Sequence, residues 1–310
     1  MRDTTSIAVT SRSFSRHPIL RAELLERYEN VTFNDEGKFF EGNDLIYFLK
    51  GHARAITALE KINETILSSL PDLKVISKFG VGMDMLDLAA LERHGVRLAW
   101  TPGTNSRSVA ELVMAFAITL LRHVMPSNIE VRSGVWKQHT GTYLSNKTVG
   151  LIGCGNVGKD LITLLKPFNC RILCYDTASQ EEFYLKNNVT GVGLEDLLRH
   201  SDIVSLHLPL NDSTRFILGR DRLALMKPSA ILINTARGNL VDESALKTML
   251  LTDKLAGAAF DVFAVEPPAD TELLNLSNFI ATPHIGGSTQ EAVLAMGRAA
   301  IAGLDQSRAS

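Results

Sequence analysis

From Lys147 onward, short apolar runs rich in Val, Ile and Leu alternate with amphipathic stretches. A parallel sheet buried on both faces by crossover helices produces this pattern. It predicts strands over 148–153, 171–175, 203–208, 230–234, 257–262 and 279–281, and helices over 156–168, 195–200, 221–226 and 243–252. Six strands with this alternation predict an α/β fold with a doubly wound parallel sheet of the Rossmann type.

The first hundred residues repeat the theme less regularly, with strands expected at 7–10, 53–56, 74–78 and 97–99 and helices at 18–27, 63–70 and 86–93. They predict a second, smaller α/β domain. Residues 106–122 (SRSVAELVMAFAITLLR) form one long apolar helix, too short and too charged at its ends to span a bilayer. An interdomain or subunit-packing role is expected for it. Residues 127–146 are polar, with Gly134 and Gly141, and suit a surface connection.

Charge narrows the function classes. Lys plus Arg is 32 against 34 for Asp plus Glu, which leaves no positive field for a polyanion, so nucleic acid is not expected as a partner. No run reaches the length of a membrane span and the N-terminal segment has no apolar signal core, so a cytoplasmic location is expected. Cys154, Cys170 and Cys174 lack zinc-type spacing and are odd in number. They read as buried thiols in a reducing compartment, with no metal site.

The sequence TVGLIGCGNVGKDL places Gly153, Gly155 and Gly158 directly after a predicted strand and at the opening of a helix. Gly153 allows the tight turn, Gly155 the close approach of a pyrophosphate, and Gly158 close helix–strand contact. The next strand ends at Asp176, 18 residues after Gly158, near the position of the acid that binds the adenosine ribose. That carboxylate repels a 2′-phosphate, and Thr177, Ala178 and Ser179 supply no arginine to hold one. NAD is therefore expected rather than NADP. A turn or cap role would suit Asp176 equally well without its register to the glycines.

Three more segments fall at or just beyond the carboxyl ends of predicted strands: ILINTARGNLVDESAL, GAAFDVFAVEPP and ATPHIGGST. Open α/β sheets carry their ligands there. Together the segments offer a permanent cation, a carboxylate and a histidine, the set required to hold a 2-keto acid and protonate its carbonyl oxygen during hydride transfer.

On these motifs, with LKVISKFGVGMDMLDL, TPGTNSRSVAELV and HLPLNDST, the chain resembles the D-isomer-specific 2-hydroxyacid dehydrogenases from about residue 62 to 303, and within them the phosphoglycerate dehydrogenase branch. The resemblance implies a nucleotide domain over 100–283 inserted in a flavodoxin-like substrate domain built from 1–99 and 284–310, with the active site in the cleft between them. It implies that Arg237 binds substrate, that His284 is the acid/base group and that Glu266 pairs with it. A carboxylate on one ring nitrogen fixes the imidazole so that the other can move the proton. Cofactor contacts carry over to Asn156, Val157, Asp176, Leu208, Thr235, Asp261 and Gly286, and the substrate carboxylate to backbone N–H groups at Val81 and Gly82. A homodimer is expected.

Two positions depart from the family. Met85 replaces the usual Asn in GVGMDMLD, and Thr57 and Ala58 stand where relatives acting on phosphoglycerate often carry Arg–Ser. Arg54 and Lys78 are the cations expected to compensate. With Ser310 as the last residue, serine feedback through a C-terminal regulatory domain is not expected. The expected reaction is 3-phosphoglycerate to 3-phosphohydroxypyruvate, the alternative being glyoxylate or hydroxypyruvate reduction, or lactate or phosphite as substrate. A non-catalytic NAD(H) sensor is the rival of another class; it has no chemical need for Arg237, Glu266 and His284 together.

Overall fold

A computed structural model describes residues 2–178 and 180–305. Ser179 and the last five residues of the expected C-terminal segment lie outside the described residues. The chain divides into two compact units, Met1–Asn105 with Ser288–Ser310, and Ser106–Gly287. The divisions fall a few residues after those expected, so Trp100 belongs to the first unit and His284 to the second.

The first unit runs β1 (Ile7–Val9), α1 (Arg12–Arg16), α2 (Pro18–Arg27), β2 (Val31–Phe33), α3 (Gly42–Leu49), β3 (Arg54–Thr57), α4 (Glu64–Ser68), β4 (Val75–Lys78), α5 (Leu88–Arg93) and β5 (Arg97–Ala99). Its sheet is parallel throughout, in the order β2-β1-β3-β4-β5. That is the flavodoxin-like doubly wound order.

The second unit comprises α6 (Ser106–Leu121), α7 (Val124–Arg132), β6 (Thr148–Ile152), α8 (Asn156–Leu165), β7 (Arg171–Tyr175), α9 (Glu181–Asn187), β8 (Val189–Gly191), α10 (Leu194–His200), β9 (Ile203–Leu206), α11 (Arg220–Leu223), β10 (Ile231–Asn234), α12 (Glu243–Leu251), β11 (Gly257–Phe260), α13 (Thr271–Leu274) and β12 (Phe279–Ala281). The chain returns to the first unit as α14 (Gln290–Asp305), which packs on β3, β4 and β5.

The second sheet has seven parallel strands in the order β12-β11-β10-β9-β6-β7-β8. Order reverses between β6 and β9, the topological switch point of a Rossmann sheet. Alternating side chains bury both faces: Ile231 and Ile233 join one core with Leu151, Leu161 and Phe116, while Leu232 joins the other with Ile152, Leu206 and Phe260.

Helix α6 is a core helix of the second unit. It contacts α8, β10 and β11, and buries Val109, Ala110, Val113, Phe116 and Ala117 in the core of its own unit. Among the described residues no single helix is long and apolar enough to cross a membrane; α6 and α7 pass that test only as a pair bent by 63°.

Candidate active site

Strand β6 ends at Ile152 because Gly153 turns the chain with φ of +102°. A Cβ at Gly158 would lie 2.7 Å from the Gly153 carbonyl oxygen, so the opening turn of α8 packs on this bend as only glycine permits. Gly155 is the N-cap of α8, Asn156 and Val157 its first residues, and nothing lies within 4 Å of the Cβ position at Gly155. Backbone N–H groups there face open space, as pyrophosphate binding requires.

Asp176 follows β7 and reaches back to this turn. Its Oδ2 accepts the Cys154 N–H at 2.6 Å and its Oδ1 the Ala178 N–H at 2.9 Å. The carboxylate is thus fixed beside the glycine turn with lone pairs remaining for ribose hydroxyls.

At the ends of β9 and β10, Leu208 lies against Gly153, while His207 Nε2 and Thr235 Oγ1 are buried with no hydrogen-bond partner among the described residues. Burial pushes the His207 imidazole down to about 4, so it is neutral near pH 7. A buried polar atom left unpaired costs roughly 1–3 kcal/mol. Two such atoms at the switch point fit a bound dinucleotide that supplies their partners. Thr235 is among the expected cofactor contacts; His207 is not, although its place in HLPLNDST beside the glycine turn marks it.

Arg237, Glu266 and His284 follow β10, β11 and β12, three neighbouring strands whose carboxyl ends share one edge of the sheet. Asn234, fully buried at the end of β10, ties the arginine loop: its Nδ2 donates to the Arg237 carbonyl at 2.8 Å and its Oδ1 accepts the Ala236 N–H at 3.1 Å. Arg237 Nη1 donates to the Ala236 carbonyl at 2.6 Å.

Gly238 packs this loop onto the next one, since a Cβ there would lie 2.0 Å from the Phe263 carbonyl carbon. In that next loop, Glu266 Oε1 accepts the Phe263 N–H at 3.1 Å and Oε2 pairs with His284 Nδ1 at 2.8 Å. Both side chains are accessible, 40% for Glu266 and 49% for His284, so the pair faces solvent-reachable space.

His284 has φ of 56°, a left-handed conformation that non-glycine residues rarely adopt. Asp261, 1% exposed, holds it there. Its Oδ1 accepts from Thr282 Oγ1 and the Ile285 N–H, its Oδ2 from the Gly286 N–H at 2.7 Å, and its carbonyl from the His284 N–H at 2.9 Å. Asp261 and Gly286, expected as cofactor contacts, are thus the clamp of the histidine loop.

Two anchors lie outside the sequence expectation. Asn234 reads in the sequence as one more residue of a buried strand, and Glu243 reads as a helix-start acid. In the structure Glu243 Oε1 accepts the Ala264 N–H at 2.7 Å, which braces the loop that carries Glu266. Burial raises the Glu243 carboxyl, with Asp270 and Asp242 adding repulsion against the lowering effect of the Ala264 N–H.

In the first unit, Val81 and Gly82 follow β4 in a turn opened by Gly80 at φ of +122°. Val81 accepts from Trp100 Nε1 through its carbonyl, and the N–H groups of Val81 and Gly82 donate to no acceptor among the described residues. Lys78, at the carboxyl end of β4, donates to the Ala58 carbonyl. Met85 is exposed, its carbonyl accepting the Ile62 N–H.

Arg54 does not fill the role expected of it. It opens β3, at the end of the strand opposite the Val81 turn, and its Nη1 donates to Asp3 at 3.3 Å and to the Tyr28 hydroxyl at 3.1 Å. A guanidinium tied there is no partner for a substrate at the carboxyl edge. Among the described residues no cluster of His, Cys, Asp or Glu is placed to hold a metal ion.

The profile of the D-isomer specific 2-hydroxyacid dehydrogenase, NAD binding domain, matches residues 114–286. A hydroxypyruvate reductase of Thermotoga maritima is 38% identical over 242 residues, covering 76% of this chain and 78% of that protein. A D-3-phosphoglycerate dehydrogenase of Methanocaldococcus jannaschii is 39% identical over 240 residues, covering 76% of this chain but 46% of that protein, so this chain spans about half its length.

The crystal structure of D-lactate dehydrogenase from Aquifex aeolicus, complexed with NAD and lactic acid, superposes with a TM-score of 0.82 at 26% identity, over 96% of this chain and 93% of that one. With a Rossmann sheet, a glycine turn that fits a dinucleotide and matches of this extent, the chain belongs to the D-isomer specific 2-hydroxyacid dehydrogenase family, as an NAD-dependent oxidoreductase acting on a CH–OH group.

Proposed function

We propose that the chain interconverts a short D-2-hydroxy acid and its 2-keto acid, with 3-phosphoglycerate and 3-phosphohydroxypyruvate as the pair and unphosphorylated glyoxylate or hydroxypyruvate as the alternative. The observation that carries the reading is the His284–Glu266 pair at 2.8 Å on the strand edge that also bears Arg237.

NAD, when bound, accepts or supplies the hydride. With Nδ1 engaged by Glu266, the neutral His284 ring presents Nε2 to take the hydroxyl proton on oxidation and return it on reduction. Arg237 holds the substrate carboxylate by charge-assisted hydrogen bonds. Within the first unit, the N–H groups of Val81 and Gly82 offer an anion two donors. The first unit is then the substrate-binding domain. Three unpaired thiols suit a cytoplasmic setting, and a homodimer is the assembly expected.

A substrate panel read by absorbance of the reduced nicotinamide tests this, with NAD and NADP in parallel. Turnover of one of these acids with strong preference for NAD is expected, and Asp176→Ala should narrow that preference by removing the charge that repels a 2′-phosphate. Equal use of both cofactors by the unaltered protein contradicts the role of Asp176, and turnover of none of the acids contradicts the substrate assignment.

A further inference from the structure

The carboxyl edge of the first sheet holds a cleft of about 530 Å³ lined by the turns after β1, β3 and β4: Ser11, Arg12, Ser13 and Arg16, then Ala58 to Glu60, then Phe79. Phe79 stands two residues before Val81, so the cleft adjoins the turn whose N–H groups lack acceptors.

Two guanidinia dominate its chemistry. Arg12 and Arg16 stand four residues apart on α1, which places them on one face, where like charges repel. Both are exposed, and among the described residues neither forms an ion pair or donates a hydrogen bond. Other arginines of this chain have a carboxylate within reach, Arg21 pairing with Asp35, Arg93 with Glu64 and Arg298 with Glu23.

Their surroundings hold them in place. The Arg12 guanidinium stands over the Phe39 ring at 5.9 Å. That of Arg16 fills the space beside Gly37, where a Cβ would lie 2.2 Å from Nη2. The floor is equally fixed, for the Ala58 N–H donates to Glu60 Oε2 at 2.6 Å and the Ala58 carbonyl accepts from Lys78. Glu60 is the one carboxylate of the lining, and one of its oxygens is occupied by that N–H. The lining thus sets two cations against one carboxylate, over a floor of Ala58, Leu59 and Phe79.

We infer that Arg12 and Arg16 form a subsite for a second anionic group on the substrate, a phosphate monoester or a second carboxylate carried beyond the reacting carbon. The inference rests on the substrate-binding role proposed for this unit. A planar guanidinium gives paired, charge-assisted hydrogen bonds to either anion, and two of them side by side are relieved of mutual repulsion when a dianion lies between them.

The test uses the intact chain and the double variant Arg12→Gln/Arg16→Gln, with circular dichroism melts to confirm folding. With NAD, kcat/KM is measured for D-3-phosphoglycerate, D-malate and D-glycerate, the last lacking a second anion. The ratio of either dianionic acid to D-glycerate should fall at least tenfold, through KM, and Arg12→Lys/Arg16→Lys should recover part of it. A fall for D-malate alone identifies a carboxylate ligand, and one for 3-phosphoglycerate alone a phosphate. An unchanged ratio overturns the subsite.

If none of the acids is oxidised, the substrate reading fails by itself, and titration with inorganic phosphate by calorimetry decides the subsite. Binding weakened at least tenfold in the Gln variant supports it. Equal binding, or none to the unaltered chain, overturns it.

Discussion

Glu266 has two carboxylate oxygens with separate tasks: Oε1 accepts the Phe263 N–H and so fixes its own loop, while Oε2 faces His284 Nδ1. Replacing His284 removes the proton carrier but leaves the glycine turn and Asp176 in place. His284→Ala should therefore lower turnover by about 10²- to 10⁴-fold, while NAD binding, followed by fluorescence titration, persists. Glu266→Gln keeps an oxygen for Phe263 but removes the charge opposite the ring. Turnover should fall while NAD binding persists, and an unchanged kcat would remove Glu266 from the relay. The placement of Arg237, Glu266 and His284 just beyond three strand ends was legible in the sequence because each stands in a strand-end motif. Arg54 was misread because periodicity located its strand but not which end of that strand faced the ligand edge. Its Asp3 and Tyr28 partners are remote in sequence and visible only once β1 and β3 pair.

Loops after β10, β11 and β12 carry the relay, and each is braced by a residue that performs no chemistry itself: Asn234 for the first, Glu243 for the second and Asp261 for the third. Glu243 is the most separable of these positioning residues, because it belongs to α12 and touches the loop at one N–H. Glu243→Ala should lower kcat roughly tenfold, equivalent to about 1.4 kcal/mol, the size of one hydrogen bond. KM should stay unchanged, and Glu243→Gln, which keeps the acceptor oxygen, should restore kcat. Loss of thermal stability with kcat unaltered would instead reduce Glu243 to a structural brace. Long elements with a strong apolar period, such as β6, β7, α2 and α8, were readable at this scale. The three-residue strands β2 and β8 were not, since neither buries a residue, whereas the equally short edge strands β5 and β12 each bury one apolar side chain. Helix α3 also escaped: its eight residues begin at Gly42 and leave Tyr47 exposed, which blurs the apolar stripe.

Across the whole molecule, the two sheet orders explain why the motifs converge on sheet edges, but one helix is unaccounted for by a single chain. None of the nine residues of α7 is buried, although Val124, Met125, Ile129 and Val131 are apolar. A helix of that length gains too little from its own hydrogen bonds to persist in water and requires packing to hold it. Ile118 of α6, Val135 and Trp136 are further exposed apolar residues, the last 86% exposed. The sequence region 127–146 had suggested a polar surface connection because its charges mask these positions. A second copy of the chain is the occupant we expect: a two-fold axis through such a patch covers α7 with its equivalent and buries Trp136 on both sides. Light scattering after gel filtration should give the mass of a dimer for the unaltered protein, and Ile129→Glu/Trp136→Ser should shift it to the monomer. Those substitutions lie outside the residues assigned to the chemistry, so NAD binding should survive dissociation if the nucleotide unit folds without its partner. A unaltered chain that runs as a monomer at micromolar concentration would exclude self-association as the cover for α7.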